Sequence, residues 1–141
     1  MKKTAHLVLD TLDPPGLRFR ARTDHGLEYV LDTGDDPQGP SPVDVVLAAL
    51  GACTGMDLVA ILRKKRLDVT GYEIELEGER RDEHPRAFTR IESVHRVRGR
   101  GLPPAAVEEA LRLSESKYCS VHATLAPGVA LSSRFEIVEE A

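Results

Sequence analysis

Two cysteines are the most reactive side chains in this 141-residue sequence. Cys53 lies in the run Leu50-Gly51-Ala52-Cys53-Thr54-Gly55, and Cys119 in Ser116-Lys117-Tyr118-Cys119-Ser120-Val121-His122. A thiolate is a nucleophile. If the two sulfurs meet, one can attack a peroxide to give a sulfenic acid, and the other can condense with it to a disulfide. They stand 66 positions apart, so spacing alone does not pair them. The small glycines around Cys53 leave its thiol accessible. A thiol at a helix start beside a lysine, as Cys119 is beside Lys117, can have a lowered pKa, though the sequence does not give its value. The bland alternative for both is packing, because free cysteine is among the most buried residue types.

Other chemistry finds little support. A metal set would need Cys119-x-x-His122, Cys53 and one of His6, His25, His84 or His95. No CxxC or HxxxH unit organises them, so no metal is expected. The five histidines read as surface or internally satisfied residues. Gly51 and Gly55 fall inside a helix, not between a strand and a helix, so they make no phosphate loop. No GxSxG elbow occurs.

The elements that must position the cysteines follow from periodicity. Alternation near 4–11, 17–23 and 27–32 predicts three half-buried strands. Leu17, Phe19 and Ala21 share one face of the second, and Arg18, Arg20 and Arg22 the other. Pro14-Pro15-Gly16 and Asp24-His25-Gly26 supply turns. Residues 33–41 form a loop. Ser41 caps a helix from about Pro42 to Lys65, with Asp44 in its first turn. Tyr72, Ile74 and Leu76 alternate with Glu73, Glu75 and Glu77, and a basic strand follows at about 89–98 with Arg90 and Arg96. These make an antiparallel hairpin with opposite charges across it. Pro103-Pro104 opens a second helix with Val107, Ala110, Leu111 and Tyr118 on one side. A last strand carries Val129, Leu131, Phe135 and Ile137.

The first helix, at about 24 residues, is roughly 36 Å long. A domain of this length has a radius of gyration near ~14 Å. Asp57 is the only strongly polar side chain between Val45 and Leu62. A helix apolar all round is buried on all sides, and this chain has too little structure to cover it. A second copy supplies the missing layer, with Ala48, Ala49, Gly51, Ala52 and Gly55 allowing close approach. The expectation is an intimate homodimer, and the bland alternative is a monomer whose own sheet wraps the helix.

Length and a mass of 15.5 kDa suit one domain spanning 1–141. A net charge of −4 and a pI near 5.7 speak against a nucleic-acid binder. Aromatics at 4%, with no Trp, speak against base-stacking platforms. The most apolar run, Val45 to Cys53, is about half the length of a membrane span. The N-terminus does not read as a signal peptide, so no membrane partner and a cytoplasmic location are expected.

The segment from Gly39-Pro40-Ser41-Pro42-Val43-Asp44 through Leu47-Ala48-Ala49-Leu50-Gly51-Ala52-Cys53-Thr54 resembles the central-helix motif of the OsmC/Ohr family. Ser116-Lys117-Tyr118-Cys119-Ser120-Val121 resembles its second-cysteine motif, and the element order matches over about 17–138. The resemblance implies an α+β fold of two intertwined chains, with sheets packed on long buried helices. It also implies a cysteine-based hydroperoxide reductase. Cys53 would be the peroxidatic thiolate and Cys119 the resolving thiol. Organic hydroperoxides would be the substrates, and an external dithiol or lipoyl-type protein the reductant. No cofactor is needed. The family's supporting charges map to Arg20, among Arg18, Arg20 and Arg22, and to Asp44. The acid usual at position 43 is Val43 here. Asp44 lies about 13–14 Å along the helix from Cys53, so it would act through an intermediary. The rival readings are a non-catalytic small-ligand binder of the same fold and a dithiol redox sensor.

Overall fold

The computed structural model describes residues 1–10 and 16–141. It is an α+β fold with two sheets and a long central helix. The chain divides into two compact units, Met1–Val46 and Leu47–Ala141.

In the first unit β1 (Ala5–Leu9), β2 (Phe19–Thr23) and β3 (Glu28–Leu31) form an antiparallel sheet in the order β1-β2-β3. The strands are shorter than periodicity suggested. The Pro14-Pro15 part of the first predicted turn lies outside the described residues. Leu7, Ala21 and Tyr29 stand in register on one face, and Leu9, Phe19 and Leu31 beside them. Ala21 is buried, yet Leu7, Phe19 and Tyr29 remain exposed in the single chain. Gly26 takes a positive φ of 84° in the tight β2–β3 turn, where a Cβ would be strained. The loop that follows is organised by Asp32. Its buried carboxylate accepts N–H bonds from Gly34 at 2.9 Å and Gln38 at 3.1 Å, and meets Arg18 Nε at 3.2 Å. The backbone donors of Gly34 and then Gln38 hold its pKa below the ordinary carboxylate value.

α1 (Pro42–Lys64) begins with a reciprocal capping box. Ser41 N–H donates to Asp44 Oδ2 at 3.0 Å, and Asp44 N–H donates to Ser41 Oγ at 3.1 Å. The helix stops where Arg66 turns to a positive φ of 61° and Leu67 N–H reaches back to Leu62 O. By length and composition alone α1 could cross a bilayer. That corrects the expectation that no segment comes close. The core helix of a globular protein meets the same criterion, and α1 is tightly packed on a sheet along one side.

That sheet belongs to the second unit, built from β4 (Asp68–Arg80), β5 (Phe88–Arg100) and β6 (Ala130–Glu139) in that order. β4 and β5 form the expected hairpin, in which Glu73 faces Arg96 and Glu79 faces Arg90. β6 runs parallel to β5, so this sheet is mixed rather than purely antiparallel. The helical crossover between β5 and β6 returns the chain to the same end of the sheet, and that connection permits a parallel pair. The crossover is α2 (Pro104–Leu113), a π turn at Ser114–Tyr118, and α3 (Ser120–Leu125). The π turn interrupts the second helix and leaves Tyr118 exposed, correcting its placement with Val107, Ala110 and Leu111. Leu58, Leu62, Val97, Leu102, Val107, Ala110 and Leu111 form the core between α1, the sheet and α2.

Gly51 and Gly55 set how close α1 comes. A Cβ on Gly51 would stand 2.6 Å from Leu76 Cδ1, and one on Gly55 would stand 2.6 Å from Ile74 Cδ1. Their small size therefore serves the contact with β4. The expectation had assigned it to a helix crossing.

Candidate functional site

Cys53 and Asp57 lie four residues apart on α1, so one helix turn places them on one side. Cys119 comes from the junction of the π turn and α3. Its N–H donates to Ser114 O at 2.7 Å, which closes the π turn beneath the sulfur. The two Sγ atoms and an Asp57 carboxylate oxygen lie within 4.8 Å of one another. Both cysteines are free thiols, Cys53 half-buried and Cys119 buried. The meeting that spacing could not decide is thus present within one unit.

Three groups surround this trio. Ser114, fully buried, donates its hydroxyl to Asp57 Oδ2 at 2.9 Å. His122 N–H donates to Cys119 Sγ at 3.3 Å. Thr54 Oγ1 lies 3.5 Å from the same sulfur and donates to Leu50 O at 3.0 Å. Thr54 has one hydroxyl proton. While that proton serves Leu50, the Cys119 thiol is the donor to Thr54. Ionising Cys119 would require the hydroxyl to turn toward the sulfur.

Burial pushes the Cys119 thiol above its ordinary pKa, and the neighbouring Cys53 sulfur adds to the rise. The His122 N–H, and the Thr54 hydroxyl when it turns to the sulfur, oppose it without prevailing. The lowering that a helix start beside Lys117 could give is absent. Lys117 sits instead over the Tyr118 ring, with Nζ 5.4 Å from its centroid. Beside Asp57 opens a mostly apolar depression lined by Ala60, Ile61, Leu113 and Tyr118, with Lys64 and Lys65 at its side.

The other predicted site residues are engaged in the first unit. Arg20 lies on β2, with its guanidinium 3.3 Å from Asp10 and 3.6 Å from Glu28. Asp44 is the carboxylate of the capping box. Asp57 and Ser114 went unassigned in the sequence reading. A lone acid four residues after a cysteine in an apolar helix was the available signal. Ser114 had none, because a π turn has no recognisable sequence period.

A second buried polar pair stands apart from the thiols. Tyr72 Oη and His95 Nδ1 are 2.7 Å apart, with the rings edge to face. His95 is fully buried, and its Nε2 has no partner among the described residues. Burial lowers its pKa to about 4. The expected surface or satisfied histidine is here a half-satisfied core residue, because strand parity puts it inward with Ile91 and Val97.

Fold and site together define a class: an α+β protein whose central helix and π-turned crossover bring two free thiols and a carboxylate together. The chain belongs to the OsmC-like protein family, which matches residues 33–134. It is 42% identical to protein YhfA of Escherichia coli K12 over 123 residues, covering 87% of this chain and 92% of that protein. The crystal structure of a hypothetical protein from Aquifex aeolicus VF5 superposes with a TM-score of 0.87 at 31% identity, covering 100% of this chain and 99% of that one. The organic hydroperoxide resistance protein OhrB of Bacillus subtilis shares the fold, with a TM-score of 0.61 at 14% identity over 96% of this chain and 98% of its own.

Proposed function

We propose that the protein is a thiol-dependent peroxidase that reduces organic hydroperoxides through a Cys53–Cys119 dithiol–disulfide cycle. The observation that carries this is the proximity of the two free thiols, one accessible and one buried. Cys53, the more exposed, attacks the distal peroxide oxygen as a thiolate. The O–O bond breaks, Cys53 becomes a sulfenic acid, and the alkoxide leaves and takes a proton to become the alcohol. The Cys119 sulfur then attacks Cys53, a disulfide forms, and the sulfenic oxygen leaves as water with the Cys119 proton. An external dithiol reduces the disulfide and is itself oxidised. The apolar depression beside Asp57 gives room for an organic substituent on the peroxide.

The same proposal makes the protein a cytoplasmic homodimer built on α1. Its support is a stripe of Ala48, Ala52, Met56 and Ala60, all exposed and spaced by four along the helix.

The test is a thiol count on the folded, reduced protein before and after stoichiometric cumene hydroperoxide, with mass spectrometry to locate any bond. Both thiols should be lost to an intrachain Cys53–Cys119 link. Cys119→Ser should stop at a sulfenic acid on Cys53 that dimedone captures, and Cys53→Ser should not react. Two thiols that persist in excess peroxide overturn the peroxidase. Unchanged binding of small apolar ligands by Cys53→Ser would then favour the binding-protein reading.

A further inference from the structure

We infer that reduced Cys53 and Cys119 together with Asp57 form a binding site for a thiophilic divalent cation of the zinc type, with one coordination position left open. The proposal goes beyond the peroxidase reading and does not depend on it.

The donor set is the starting point. Two sulfurs and one carboxylate oxygen can supply three negative charges to a dication, and thiolates select soft or borderline metals over calcium or magnesium. Zinc takes sulfur at about 2.3 Å and oxygen at about 2.0–2.2 Å in a tetrahedron. Such ligand atoms stand roughly 3.5–3.8 Å from one another. Here the three lie within 4.8 Å, so closure asks for no more than roughly 1.3 Å of movement. Cys53 and Asp57 have that freedom, since both are only partly buried.

The surroundings supply the outer contacts that metal ligands use. Buried Ser114 holds Asp57 Oδ2 at 2.9 Å, which orients the carboxylate and still leaves it lone pairs for a cation. The His122 N–H is aimed at Cys119 Sγ, and the Thr54 hydroxyl stands beside it. Donors of this kind support a coordinated thiolate. Three protein ligands with a fourth position left open match the pattern of accessible zinc sites rather than closed structural ones, and Asp57 also lines the apolar depression. The expected histidine set does not form this cluster. One ligand instead comes from the acid on α1 that had no assigned chemistry.

A consequence follows for the thiols. A cation held by both sulfurs and a disulfide between them exclude each other. Metal occupancy and oxidation would compete for one pair of side chains.

The experiment titrates reduced, metal-free, full-length protein with Cd2+ and follows the ultraviolet thiolate-to-cadmium charge-transfer band. Zn2+ is then added in competition against a chromogenic chelator. One equivalent per chain should bind. Cys53→Ser, Cys119→Ser and prior alkylation of wild-type Cys53 should each abolish the band. Asp57→Asn should weaken binding by at least about tenfold, and Ser114→Ala should act in the same direction. X-ray absorption of the zinc-loaded wild-type protein, which needs no variant to fold, should show two sulfur ligands with the remainder oxygen or nitrogen. Absence of the band, or Asp57→Asn binding as tightly as wild type while circular dichroism shows it folded, overturns the site. So does a zinc shell of four sulfurs or none. No peroxide enters these measurements, so their failure and that of the peroxidase reading are distinguishable.

Discussion

Cys53 and Cys119 share one site but not one environment. Cys53 is half-buried and Cys119 is 3% exposed, with its thiol held protonated by burial. Electrophile access therefore favours Cys53, and burial works against the Cys119 thiolate. Iodoacetamide on the folded protein near pH 8 should modify Cys53 roughly tenfold faster than Cys119 or more, with Cys119 reacting fully only after unfolding. Peptide mapping of timed aliquots checks this. Equal rates would remove the division into attacking and resolving thiols. Both cysteines were legible in the sequence because their chemistry is carried by residue type. The sign of the Cys119 shift was not. Lys117 is adjacent in sequence yet occupied by the Tyr118 ring, and burial is a property of the folded neighbourhood. Ser114 was invisible for the same reason, since its role exists only once the π turn brings it to Asp57.

At the scale of elements, the β4–β5 hairpin was the most legible object. Its alternation put Tyr72, Ile74 and Leu76 on one face and the glutamates on the other, and the charges predicted across the strands meet. Arg96 reaches Glu73, Glu75 and Glu136, each at 3.1 Å, so one side chain ties β5 to both neighbours. These acids hold its pKa above the ordinary guanidinium value. The parallel placement of β6 was not legible, because it depends on where a crossover of three short helical pieces ends. The inward face of β5 also carries His95, which ties the stability of this sheet to pH. Its pKa in the folded state is about 4, against an ordinary value of 6.5. Between those values the unfolded chain binds more protons, so stability rises with pH. The contribution is fully present above about pH 6.5 and is lost as pH falls toward about 4. Chemical denaturation should show a loss of order 2–3 kcal/mol from this group between about pH 7 and 4. His95→Phe should flatten that part of the profile, whatever it does to stability at neutral pH. An unchanged slope would assign the acid sensitivity elsewhere.

At the scale of the whole molecule, the helix that places Cys53 is also the feature a single chain leaves incomplete. Gly51 and Gly55 are consumed by Leu76 and Ile74, and Leu58 and Leu62 by the core. The opposite side keeps Ala48, Ala52, Met56 and Ala60 in the open, and Met56 is 71% exposed. A polar stripe would be expected there if water were the native neighbour. In the first unit, Leu7, Phe19 and Tyr29 present a further apolar face that the chain alone does not cover. Apolar patches of this kind mark interfaces, and a stable one buries about 1,200–2,000 Å² in total. A second copy meeting α1 along the Ala48–Ala60 stripe would bring two such helices together through small side chains. Light scattering after size exclusion should therefore give twice the chain mass at micromolar protein, and the melting temperature should rise with concentration. Met56→Glu puts a charge on the centre of the stripe without touching Gly51, Gly55 or the thiols. It should shift the protein to monomer and lower its melting temperature. Wild-type protein that runs as a monomer, or a Met56→Glu variant that remains dimeric, would show that this face is not where two copies meet.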